Sequence, residues 1–132
     1  MIEFNIKAPI TGKGRPRFTK IGHTYTPAKT KEYENIVKAS FLQSKQHKLH
    51  GYVHAQITVE YPLLKSMSKK VKEDCLNGTQ MPDKKPDLDN IAKIILDALN
   101  GLAYEDDKQI ISLHIEKKYG IEANVNVMLK ER

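Results

Sequence analysis

A single cysteine, Cys75, stands in a chain of 132 residues that has no tryptophan. One thiol excludes an internal disulfide and any zinc site built from several cysteines. No apolar run approaches the ~20 residues needed to cross a bilayer. The start, Met1-Ile2-Glu3-Phe4, lacks a basic n-region and an apolar h-region, so no secretory signal is expected. Repeats, low-complexity tracts and linkers are also missing, and the length suits one domain over residues 1–132. A reducing, cytosolic setting fits these absences.

What is present is unevenly charged. The net charge is +6. From Met1 to Lys48 there are ten Lys/Arg against three Asp/Glu, and in the remainder twelve against thirteen. The basic excess therefore lies in the first third, and the acids gather late. Such an imbalance reads either as a solvated surface or as a face for phosphates.

Apolar alternation predicts strands over residues 2–8, 52–61, from about 111, and 121–129. Tyr119-Gly120 reads as a hairpin turn between the last two. A helix is expected from Thr26-Pro27 to about Lys48, with Thr26 as N-cap, Pro27 first in the helix, and a stripe of Tyr33, Ile36, Val37 and Phe41. A short helix capped by Ser66 or Ser68 and ending at Asn77-Gly78 should follow, then one over about residues 89–100. That last helix is apolar on more than one side, which suits burial inside the monomer and a subunit interface about equally. The order predicts an α+β fold: one small domain, a mixed four-stranded sheet, and helices packed on one face.

The most informative segment is Pro86-Asp87-Leu88-Asp89-Asn90-Ile91-Ala92-Lys93. In extended chain Asp87 and Asp89 point to one side, with Leu88 facing the core. If Asp89 opens the helix, Lys93 follows one turn on, and Asp97 continues the line. Glu105-Asp106-Asp107, just before a strand, supplies further carboxylates and is placed beside the start of the helix. A hard cation such as Mg²⁺ takes one or two carboxylates plus waters and phosphate oxygens. The plainer reading is an N-cap and a surface ion pair worth ~0.3–0.5 kcal/mol. A calcium loop starting at Asp87 is excluded, because Ile91, Ala92 and Ala98 stand where a ligand, a glycine and a glutamate are required. Gly12-Lys13-Gly14 is not a nucleotide-binding P-loop, since no Ser or Thr follows the lysine.

Asp87-Leu88-Asp89-Asn90, Lys93, Asp97-Ala98-Leu99 and Asp106-Asp107 occur in one order and spacing. They are preceded by Gly12-Lys13-Gly14-Arg15-Pro16-Arg17 and the stretch from Tyr25 to Tyr33. The arrangement resembles the RusA family of Holliday-junction resolvases, found largely in phages and prophages, from about residue 1 to 130. The resemblance implies a homodimeric, Mg²⁺-dependent endonuclease, with Mn²⁺ as a substitute, that nicks four-way junction DNA symmetrically in recombination and repair. It implies a phage- or prophage-encoded protein of the bacterial cytoplasm, with neither membrane nor small-molecule cofactor. By motif position Asp87, Asp89 and Asp107 carry over as metal-binding carboxylates, Asp106 less firmly, and Lys93 as the catalytic lysine. Lys13, Arg15 and Arg17, extended by Lys29, Lys31, Lys84 and Lys85, form the expected DNA-binding set. Two rivals stand beside this reading: a DNA-binding protein without catalysis, and a nuclease for other branched DNA.

Overall fold

A computed structural model describes residues 1–14 and 27–132, together with the backbone of Arg17–Phe18 and Thr24–Tyr25. It is a small α+β domain. The elements run β1 (Ile2–Ile6), β2 (Arg17–Phe18), β3 (Thr24–Tyr25), α1 (Ala28–Gln43), β4 (Val53–Pro62), α2 (Lys69–Leu76), α3 (Leu88–Ala98), β5 (Ile110–Gly120) and β6 (Asn124–Glu131). A 3-10 turn, Asp107–Gln109, precedes β5. The four long strands form one mixed sheet in the order β1-β6-β4-β5, and β2 pairs with β3.

Alternation marks the buried face of β1 and β4 as expected, but not of β5, the edge strand, where Ile111 and Leu113 are exposed. Ile2, Phe4 and Ile6 on β1, and Val53, Ala55, Ile57, Val59 and Tyr61 on β4, are all buried. The expected hairpin at Tyr119-Gly120 does not form. Both residues lie in β5, and β4 separates β5 from β6. β4 is parallel to β5 and antiparallel to β6. A parallel pair needs a long crossover, and here α2 and α3 provide it. Ile121 is exposed and precedes β6 rather than starting its buried face.

The helices differ from expectation at their ends. Pro27 is the N-cap of α1 rather than its first residue, while Thr26 lies outside the described residues. The helix stops at Gln43, short of Lys48, and its buried stripe is Thr30, Tyr33, Val37 and Phe41, with Ile36 exposed. Ser68 caps α2 by accepting the Val71 N–H, and Gly78, at φ +86°, follows the end of that helix. On α3, Ile91, Ile94, Ile95, Leu96 and Ala98 are all buried within the monomer. The second apolar side of α3 is therefore covered by its own chain. Each large aliphatic side chain fully buried there contributes about 1.5–3 kcal/mol, which fixes α3 firmly between α1 and the sheet.

Candidate active site

The start of α3 is held at one end of the β4–β5 pair. Tyr61 donates its hydroxyl hydrogen to the Lys85 carbonyl at 3.2 Å, and the Lys117 ammonium donates to the Lys84 carbonyl. The Lys84 ammonium lies 5.5 Å from the centre of the Tyr119 ring. Pro86 is buried, and Asp87 follows as the N-cap of α3. The helix thus opens one residue earlier than Asp89, which sits in its first turn. Leu88 is 45% exposed rather than core-facing, because it already belongs to the helix.

Asp87 occupies the cap position without making a side-chain cap hydrogen bond. Asp89 and Lys93 are both exposed, and they do not form an ion pair among the described residues. The ordinary structural uses of these three charges are therefore not taken up. A cavity of about 540 Å³ opens beside Asp87, lined in part by Lys13, Lys29, Lys85, Pro86 and Asn90. Lys29 and Lys85 beside one carboxylate make a surface suited to phosphate oxygens. Lys31 is exposed on α1. Arg15 lies outside the described residues, as does the side chain of Arg17.

The acidic turn stands elsewhere than expected. The Asp107 N–H donates to Asn100 Oδ1 at 2.8 Å, and the Asp107 carboxyl meets Asp97. Both partners mark the C-terminal end of α3, not its start, because the chain must reach the beginning of β5 from there. Asp89 and Asp97 are eight residues apart, about 12 Å of helical rise. Among the described residues no three His, Cys, Asp or Glu converge closely enough to hold a metal ion.

Asp106 and Asp107 have different duties. Asp106 caps the 3-10 turn by accepting the Lys108 N–H at 3.1 Å, and that backbone bond leads the causes that hold its carboxyl below the usual range. Gln109 completes a capping box through the Asp106 N–H. The same side chain donates to the Gly51 carbonyl at 2.9 Å, tying the turn to the loop before β4. The Asp107 carboxyl is pushed up by partial burial, then by Asp106 and Asp97 beside it. Two like charges already at hand favour a proton or a cation there. The carboxylates at each end of α3 are the kind of donor a hard divalent ion takes, Mg²⁺ usually using one or two beside waters and phosphate oxygens.

Sequence reasoning missed Glu34, Asn100 and Gln109. Lys13, expected among the phosphate contacts, is held by Glu34 Oε2 at 3.0 Å and Asp97 Oδ2 at 2.9 Å. These partners are 21 and 84 positions away, beyond any local pattern. Gly12 and Gly14 admit the segment to this seam. A Cβ on Gly12 would stand 2.8 Å from Pro86 Cβ, and one on Gly14 would stand 2.8 Å from Pro27 Cγ.

A family model described as endodeoxyribonuclease RusA matches residues 7–130. The chain is also similar to YqaN of Bacillus subtilis strain 168, an uncharacterised protein. Identity is 37% over 140 aligned positions, covering 98% of this chain and 96% of YqaN. Among the described residues no helix is long and apolar enough to cross a membrane.

Proposed function

The chain belongs to the RusA endodeoxyribonuclease family, and from that membership we propose a Mg²⁺-dependent nuclease that resolves four-way DNA junctions by paired nicks. One observation carries the reading. Within the family-matched segment, Asp87, Asp89 and Lys93 are charged, exposed and uncommitted among the described residues, and Asp87 faces a lysine-lined cleft. Buried or capping acids would have favoured a DNA-binding protein without catalysis.

In this proposal Lys29 and Lys85 of the cleft, with Arg15 and Arg17 beyond them, bind backbone phosphates and orient the strand. Asp87 and Asp89 would hold one Mg²⁺ or Mn²⁺ at the start of α3, and Asp107 would hold a second at the far end. Asp106, committed to its cap, contributes less. A bound divalent ion supplies a water of lowered pKa and offsets negative charge on the scissile phosphate. Lys93 orients the attacking water and stabilises the charge that builds on the phosphorus oxygens. The protein acts in the cytoplasm of a bacterial host, as the product of a phage or prophage.

The test is cleavage of labelled junction, fork, duplex and single strand side by side, with Mg²⁺ and with EDTA. The expected result is symmetric nicking of the junction, lost in EDTA and restored by Mg²⁺. Equal cutting of fork and junction would favour the broader branched-DNA reading, and binding without any cutting would sink the nuclease assignment.

Two symmetric nicks call for two copies of the site, hence a homodimer. The edge strand β5 offers a surface for it, since Ile111 and Leu113 are 44% and 42% exposed beside Asp107. Light scattering should give twice the chain mass of 15.1 kDa. A value equal to the chain mass removes the dimer.

A further inference from the structure

Lys13 ties the basic segment to α1 and to the end of α3 beside the acidic turn. Its ammonium sits between Glu34 of α1 and Asp97 of α3, at 3.0 and 2.9 Å, with all three side chains at most one-third exposed. Partial burial works against that charge, yet the hydrogen bonds to Asp97 and Glu34 win and hold it above the ordinary lysine range. Asp97 in turn reaches Asp107, so an unbroken chain of contacts runs from Lys13 to the acid that the functional reading places on the metal.

We propose that Lys13 is a positioning residue of the acidic centre, a fixed cation that occupies Asp97 and leaves Asp107 to an exchangeable divalent ion, rather than a contact to DNA. This rests on the reading of Asp107 as a metal-binding carboxylate. Glu34, Asp97, Asp106 and Asp107 bring four carboxylates to this end of the α1–α3 groove, and without Lys13 their mutual repulsion would splay the Asp97–Asp107 contact. The two glycines flanking Lys13 admit its backbone close to Pro86 on one side and Pro27 on the other, which aims the side chain along α3. An ammonium spent on two carboxylates has little left for a phosphate.

Two measurements on the full chain test this. The first is junction binding in EDTA as a function of salt. Lys13→Met should leave the slope of log K against log salt unchanged, whereas Lys29→Met, on the rim of the cleft, should lower it by about 0.9. A similar fall for Lys13→Met would return Lys13 to the DNA contacts and overturn the proposal.

The second is Mn²⁺ affinity of the DNA-free protein, read by electron paramagnetic resonance in a double-mutant cycle. Freeing Asp97 to join Asp107 on the ion should tighten Mn²⁺ binding several-fold in Lys13→Met, while Lys13→Arg should retain the wild-type value. In the Asp97→Asn background Lys13→Met should have no further effect, since the residue acts through Asp97. Effects that simply multiply, or an affinity indifferent to Lys13, overturn it. Should Lys13→Met fail to fold, Glu34→Gln in the same cycle reads the same network, with weaker tethering of Lys13 expected to shift Mn²⁺ affinity only when Asp97 is present. Wild-type protein that binds no Mn²⁺ would instead sink the metal-site reading itself.

Discussion

Asp87→Asn should abolish junction nicking, by at least about 10²–10³-fold, the range seen when one group stabilising developing charge is removed. Binding in EDTA should stay within about twofold of wild type. Asp87 caps α3 by position, but its carboxylate makes no cap hydrogen bond, so the isosteric amide removes charge without removing a structural contact. The residue is exposed, and no packing is lost. Stability in urea should therefore match wild type within about 0.5 kcal/mol, as for surface changes generally. Near wild-type cutting by the folded variant would take Asp87 out of the chemistry and move attention to Asp107.

Tyr104→Ala should cost about 3–5 kcal/mol, the toll of deleting a large buried aromatic. Tyr104 is fully buried and is among the largest side chains in the core. Its hydroxyl donates to the Leu96 carbonyl near the end of α3, and the Gly101 N–H donates to its carbonyl at 2.9 Å. Burial raises its phenol, and the negative charges of Asp107, Asp97 and Asp106 add to that. Losing it loosens the end of α3 that carries Asp97, the neighbour of Asp107, and nicking should fall further than the loss of folded protein explains. Tyr104→Phe keeps the buried ring and gives up one hydrogen bond, about 1 kcal/mol. Urea unfolding of both variants, with activity measured where each is folded, separates the two effects. A Tyr104→Ala protein with wild-type stability would contradict the packing described for this corner.

The sheet was legible in the sequence because period-two burial is local information. Which strand lies beside which is not, and the misplaced hairpin at Tyr119-Gly120 shows the difference. Alternation reports the face a side chain takes and says nothing of partners. Leu88 failed for a related reason: one residue's shift in the start of α3 exchanged the strand rule for the helix rule and turned Leu88 outward. Ile36 lost its place to Thr30, whose hydroxyl accepts the Gly14 N–H at 2.8 Å. A polar residue drew burial from a tertiary partner that periodicity does not see. Asp87, Asp89 and Lys93 could be singled out as candidates because they share one short segment. The partners of Asp107 and of Lys13 were not, because they depend on how the α2–α3 crossover lands on β5.

The line Asp89, Lys93, Asp97 has a consequence for how this chain can change over time. Its members keep their relative azimuth only while every residue between them is present, since each step turns the helix by 100°. A single insertion there would leave every charge in place yet swing the Lys13–Asp97 attachment a quarter-turn out of phase with Asp89. The connection from Asn77 to Asp83, exposed apart from Pro82, carries no such phase and can lengthen without disturbing it. Length variation among related chains should therefore gather before Pro86 and spare the eleven residues of α3.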